Sequence, residues 1–349
     1  MDNDFLRNDL RMPAEWEKQK STWIAWPHNK KDWPNKFNNI PYVFAEIISY
    51  ISKVQIVNIL IQNQQSKRKI INYLKQKKTN IKNIKMITCK TDRVWVRDSG
   101  PIFLKDKKDK ILISNWNFNA WSKYKNFRND NKVNLKIAKT NKYKILDILY
   151  KKSTVTLEGG SIDVNGEGLL LTTRECLLSK IQERNPGFGI KDYETIFEKI
   201  LGIKRIIWLE RGISGDDTHG HIDDVARFVS KNKVFLAYES NKKDKNYKNL
   251  KKNFDILNKT IIENKRLKII KIPMPNTIII EETRVPATYL NFCIAHKIVL
   301  VPVFNDKKDK IVLDIFKKNF KSRKIIPINC SELIWGFGAI HCMTQQEPS

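Results

Sequence analysis

Long apolar runs are what this sequence lacks first. None nears the roughly 20 residues that a helix needs to cross a bilayer, which argues against a membrane-spanning helix. Cysteine is scarce as well: five residues, at positions 89, 176, 293, 330 and 342. The number is odd, and no CxxC pair or Cys/His cluster stands at zinc-ligand spacing. A disulfide framework is not expected; free thiols in a reducing compartment fit better. Glycine and proline are few, 13 and 12 of 349 residues, while hydrophobic residues reach 41%. That combination argues against disorder and allows a large core. The opening stretch, MDNDFLRNDLRMPAEW, places acidic residues early and has no apolar segment behind a basic one. No secretory leader is read there, and the cytoplasm is the expected location.

Acidic residues are the other shortage: 65 Lys and Arg face 37 Asp and Glu, a net charge of +28. Concentrated on one face, that charge would favour nucleic acid or an anionic membrane. The lysines are instead spread along the chain beside asparagine and isoleucine, as in INYLKQKKTNIKNIK. Such a spread fits a surface whose composition has drifted, as an AT-rich coding sequence would give. A basic surface repels a cationic ligand at long range unless its pocket is strongly acidic.

The segment MPAEWEKQKSTWIAWPHNKKDWP carries four tryptophans, read as core or pocket wall. Pro41 opens a segment with Val43, Phe44, Ile47, Ile48 and Ile51 on one helical face. Further helices are expected over about 66–80, 191–201, 243–263 and 309–319. Strands are expected at VQIVNILI, IKMIT, KILISNW, RIIWL, LKIIKI and KIIPI. Strand pairs are expected around Asn165-Gly166, between VARFV and KVFLAY, and around residues 295–297. Residues 117–143 read as a polar connection. Strand pair, helix and strand thus recur loosely, a weak sign of repeats.

Four stretches carry chemistry. In DRVWVRDSGPIFL, VWV reads as a strand ended by Ser99-Gly100-Pro101, which puts Asp98 at a strand end facing a cleft. Glu158 precedes Gly159-Gly160, where the backbone is expected to approach something closely. In SGDDTHGHIDD, His221 and Asp223 are two apart, so an extended segment would project both to one face; Asp216, Asp217 and His219 precede them. Metal ligation by His219, His221 and Asp223 ranks below acid–base use, because no other His or Cys stands at ligand spacing. Last, GFGAIHCMTQQEP presents Cys342 after Gly336 and Gly338, glycines that permit a sharp turn. A buried strand cysteine is the alternative there.

A thiol, a histidine and several carboxylates are the parts of a thiol-hydrolase site. The carboxylates exceed what a Cys–His dyad needs, and buried carboxylates protonate unless a cation faces them. A planar guanidinium would satisfy two of them through forked hydrogen bonds, which points to a guanidino substrate.

The motifs MPAEWEKQKSTWIAWPHN, VWVRDSGP, LEGGSIDVNGEGLLLTT, DDTHGHIDDVARF, ATYLNFCIA and IHCMTQQEP resemble the agmatine deiminase family, related to bacterial peptidylarginine deiminases within the guanidine-modifying superfamily. The resemblance spans nearly the whole chain. It implies an α/β fold in one catalytic domain over residues 1–349: a five-bladed, pseudo-fivefold α/β propeller (pentein) of ββαβ-like units. It implies Cys342 as nucleophile, His221 as acid and base, Asp98 and Asp223 as guanidinium clamps, and Glu158 as the residue that orients His221. Trp95 would wall the pocket, Asp217 would read a distal amine, and Asn291 would lie near the site. Hydrolysis of agmatine to N-carbamoylputrescine and ammonia is the implied reaction, with no metal or organic cofactor and a small cationic guanidino substrate as partner. Whether copies assemble into a homo-oligomer is left open. Phe337 interrupts a usual glycine triplet, Ala339 replaces an asparagine, Asp217 replaces a longer glutamate, and His219 replaces an aspartate or asparagine. These departures bear on the substrate's distal end. A deiminase for free or peptidyl arginine stays open, although no cation for the arginine carboxylate is legible. A basic nucleic-acid-binding protein on a decayed enzyme fold rests on charge alone.

Overall fold

The computed structural model describes residues 10–262 and 265–349. Part of the stretch that argued against a leader, and residue 263 at the end of one expected helix, lie outside the described residues.

Among the described residues, five sheets of three or four strands carry the fold, and each repeats one connection. Two antiparallel strands are followed by a helix and then by a strand parallel to the second. The pattern runs 102–105, 111–115, helix 133–141 and 144–147; then 163–164, 169–173, helix 190–201 and 205–209. It continues with 226–230, 233–238, helix 247–259 and 268–273, and with 293–294, 298–303, helix 309–319 and 324–329. The remaining sheet draws on both ends of the chain. Strand 345–348 lies antiparallel to 19–25, which is parallel to 56–61, itself parallel to 84–88. The loose recurrence in the sequence is therefore a real structural repeat.

Local chemistry explains the elements. Pro41 sits in the first turn of helix Ile40–Ser52, where its missing N–H costs nothing, and Phe44, Ile47, Ile48 and Ile51 are fully buried on one face. Fully burying such a side chain contributes about 1.5–3 kcal/mol. Central strands such as Ile56–Ile61 read as continuous apolar runs because both of their faces are covered. Gly166 (φ 76°) and Gly168 (φ 98°) take the left-handed angles of the tight connection between the paired strands 163–164 and 169–173.

Three expectations need correction. VWV is not a strand: Val96–Ser99 forms one helical turn, with Ser99 N–H bonded to Trp95 O and Gly100 N–H to Val96 O. Residues 117–143 are not a plain connection, since they contain helix Val133–Asn141 and a buried Trp121. The turn before Cys342 bends at Phe337 (φ 62°), not at its glycines. Gly336 and Gly338 are needed for close approach: an added Cβ would lie 2.6 Å from the Trp33 ring nitrogen and 2.8 Å from the Trp95 ring.

All five cysteines are free and buried. Among the described residues no helix is long and apolar enough to cross a membrane.

Candidate active site

Each sheet delivers a residue from the segment that enters its first strand. Asp98 precedes 102–105, Glu158 precedes 163–164, His221 and Asp223 precede 226–230, Asn291 precedes 293–294, and Cys342 precedes 345–348. Repetition of one local geometry thus gathers residues far apart in sequence.

Asp98 Oδ1 accepts the Gly160 N–H and its Oδ2 accepts the Trp121 indole N–H, each at 3.0 Å. Burial pushes its carboxyl up to about 6, with His221 opposing the rise and the charges of Asp223 and Glu158 adding to it. Trp121 escaped the sequence reading because its placement depends on three successive left-handed residues, Ala120, Trp121 and Ser122 (φ 52°, 58° and 54°). Such backbone is uncommon outside glycine and concentrates at functional sites.

His221 is fully buried, and neither ring nitrogen has a hydrogen-bond partner. Nδ1 lies 3.7 Å from Asp98 Oδ1 and 4.0 Å from Asp223 Oδ1; Nε2 lies 3.7 Å from Glu158 Oε2. Burial alone would lower the imidazole. The negative groups around it, Asp98 first, outweigh burial and hold it well above its ordinary value. Asp216 fixes the loop by accepting the Gly220 and His221 N–H groups at 2.7 and 3.1 Å. His221 and Asp223 do not share an extended strand. Residues 222–224 form a short 3-10 turn that still points both inward.

Glu158 answers the expectation that a buried carboxylate needs a planar cation, but the cation is the protein's own. Arg184 Nε donates to its two oxygens at 3.1 and 3.3 Å, with both side chains fully buried. Burial raises this carboxyl, yet Arg184 and then His221 bring it below its ordinary value. Arg184 was not singled out in the sequence. A basic residue in the RNP stretch between two buried strands was the available signal.

Cys342 Sγ receives an N–H of the Asn291 amide at 2.9 Å and lies 3.8 Å from Asp223 Oδ2. Asn291 Oδ1 in turn accepts the backbone N–H groups of His341 and Cys342 at 2.9 and 3.1 Å. Its amide also donates to Asp224 Oδ1 at 2.9 Å. Burial, then the charges of Asp223, Asp224 and Asp98, push the thiol well above its ordinary value. Burial raises Asp223 too, but His341, then His221, bring its carboxyl low. Asp224 goes the other way, raised by burial and by Asp223 and Asp216. The second aspartate of the Asp223-Asp224 pair was the overlooked signal.

A cavity of about 660 Å³ opens onto Cys342 and Asp98. Trp95 lines it, backed by Trp33 with ring centres 5.6 Å apart. Asp217 lines it as well, and its carboxylate is taken by the Lys123 ammonium and by the Tyr124 hydroxyl at 2.7 Å. Asp32 and Arg93 share this wall and were not anticipated. Asp32 Oδ2 is buried without a partner, and burial pushes the carboxyl up to about 6. Arg93 stacks over Tyr124 and donates to Asn126 O and Oδ1 at 2.7 and 2.9 Å.

His219 stands apart, its Nε2 2.9 Å from Ser179 Oγ. Among the described residues, two buried trios have ligand-type atoms within 4.8 Å of one another, Glu158–Cys176–His221 and Asp223–Asp224–Cys342. Neither contains His219.

Residues 11–348 match the family described as Porphyromonas-type peptidyl-arginine deiminase. The chain belongs to that family. The agmatine deiminase of Pseudomonas aeruginosa is 30% identical over 364 residues, covering 97% of this chain and 96% of that one. Among solved structures, a cysteine-to-serine variant of the C. jejuni agmatine deiminase with substrate bound is 31% identical at a TM-score of 0.86, covering 97% and 96% of the two chains. The agmatine deiminase of Enterococcus faecalis is 29% identical at a TM-score of 0.88, covering 98% and 96%. Likeness over whole chains extends the deiminase fold to this protein, and membership makes it a hydrolase of C–N bonds in amidines.

Proposed function

We propose that this protein hydrolyses agmatine to N-carbamoylputrescine and ammonia, and that the five sheets form the blades of one pseudo-fivefold catalytic unit. One observation carries the reading. Glu158 has the guanidinium of Arg184, whereas the ion-pair partners of Asp98 and Asp223, beside the thiol, are histidines. Asp223 Oδ1 is buried without a hydrogen-bond partner. A guanidinium arriving there supplies the missing donors in forked geometry.

In this reading the thiol rests protonated. A cation entering between Asp98 and Asp223 offsets the charges that hold the thiol high, so the thiol gives up its proton to solvent as substrate binds, and that proton is the one the released ammonia later takes up as ammonium. Cys342 Sγ then bonds to the guanidinium carbon. His221, charged among carboxylates, gives its proton to the departing nitrogen, and the C–N bond breaks to release ammonia. An amidino-thioether remains. His221, now neutral, takes a proton from water, whose oxygen bonds to the same carbon. The C–S bond breaks and leaves the ureido product and the thiol. Asp98 and Asp223 supply orientation throughout. Trp95 packs on the aliphatic arm, and Asp32, whose Oδ2 is open, receives the distal ammonium, while Asp217 is engaged by Lys123 and Tyr124.

Arg93 supports a second reading, free arginine, because it puts a cation in the cavity wall that a substrate carboxylate could meet. Purified protein given agmatine, arginine or an arginyl peptide separates these. Ammonia and ureido product are expected from agmatine first. Turnover of arginine alone would overturn the choice of substrate.

A further inference from the structure

His341, immediately before the nucleophile, is buried and has no part in the steps above. Its Nδ1 lies 2.7 Å from Oδ2 of Asp223, and its Nε2 lies 3.4 Å from Oε2 of Glu15. Glu15 is itself fixed: it pairs with the buried Arg227 guanidinium and accepts the Ile294 N–H at 2.7 Å. The His341 N–H goes to Asn291 Oδ1 at 2.9 Å, so its backbone hangs on the amide that touches the thiol. The residue is therefore held at three points, two of them on its ring.

An ionised carboxylate only accepts hydrogen bonds, so the Nδ1 side must donate to Asp223. His221 cannot supply that bond, since its Nδ1 is 4.0 Å from the other oxygen. The two oxygens of Asp223 thus differ. Oδ2 is pinned by His341, while Oδ1 is buried and open. A carboxylate free to rotate would present neither oxygen reliably to a planar ligand.

We propose that His341 is a positioning residue for deimination: by donating from Nδ1 to Asp223 Oδ2, it fixes that carboxylate so that Oδ1 faces the incoming guanidinium. The inference rests on the guanidine-hydrolase reading above. It assigns a role to a histidine that the sequence analysis passed over in favour of His221.

The test uses three variants of the full chain. The side-chain nitrogen of asparagine overlies Nδ1 of histidine, that of glutamine reaches toward Nε2, and leucine donates nothing. H341N should keep kcat/KM for agmatine within about tenfold of the parent, whereas H341Q and H341L should lose about 100-fold or more through misplacement of Asp223. Melting temperatures separate this from a packing effect, which would follow stability and not donor position. If H341L does not fold, the comparison of H341N with H341Q decides alone, and equal values for that pair would overturn the proposal. A second readout needs no turnover: protection of Cys342 from iodoacetamide by methylguanidinium. H341Q should need at least tenfold more of it than H341N, and equal protection would again overturn the proposal. A parent protein that is protected by methylguanidinium yet releases no ammonia would sink the proposed reaction and leave this assignment readable.

Discussion

Gly160 and His221 approach so closely that a Cβ on the glycine would stand 2.5 Å from the imidazole Nδ1. The same atom would lie 2.7 Å from Asp98 Oδ1. Only the absence of a side chain lets the segment entering strand 163–164 touch both groups. Gly160→Ala is therefore expected to displace His221 by a fraction of an ångström to an ångström and to lower kcat about 100-fold. Steady-state kinetics beside a melting curve checks this. A kcat within threefold of the parent would show that the approach is not needed.

The pH dependence follows from Asp98. Its carboxyl is raised to about 6 and must be ionised to hold a guanidinium, so kcat/KM should fall about tenfold per unit below that pH. Stability moves the other way for this group. A raised carboxyl adds stability that is fully present below its ordinary value of 3.8 and is lost as pH rises through about 6. Glu158 and Asp223, both held low, keep their contributions until pH falls below their ordinary 4.5 and 3.8. Inactivation near pH 5 should accordingly be reversible and precede unfolding, as circular dichroism and activity on the same samples would reveal.

Cys342→Ser should abolish turnover, by about a thousandfold or more, while leaving substrate binding intact. In the free protein the thiol is held well above its ordinary value. Alkylation of Cys342 by iodoacetamide should therefore keep accelerating beyond pH 9. A plateau near pH 7 would mean a thiolate at rest.

Arg184 and Glu158 are both fully buried. Removing one partner of such a pair typically costs about 3–5 kcal/mol, because the other charge is left uncompensated. Arg184→Met should show that loss in urea denaturation, and adding Glu158→Gln should restore much of it.

At the far wall, Asp32 has an open oxygen and Asp217 does not. Asp32→Asn should raise KM for agmatine about 10–100-fold, the worth of a charge-assisted hydrogen bond. Butylguanidine, which lacks the amine, should be unaffected. An equal rise for both ligands would count against this assignment.

The sequence carried the strands and helices well where periodicity was strong, as in residues 40–52 and 56–61. It failed where a tertiary partner decided the backbone. Val94, Trp95 and Val96 have strand composition, yet the chain coils there, and Arg97 N–H bonds to Cys342 O across the molecule. Cys342, His221, Asp98, Asp223, Glu158 and Asn291 were legible in the motifs, and the fold brings them together. Arg184, His341, Trp121 and Asp32 were not, because their importance lies in what they face, not in their neighbours along the chain. The glycines before Cys342 show the same limit: their presence was legible, but the indole rings that require them were not.

Strand 345–348, which pairs with residues 19–25, begins three positions after Cys342. The sulfur therefore inherits its place from a pairing between segments far apart along the chain, and a substitution that loosens strand 19–25 would be felt at the thiol without touching it.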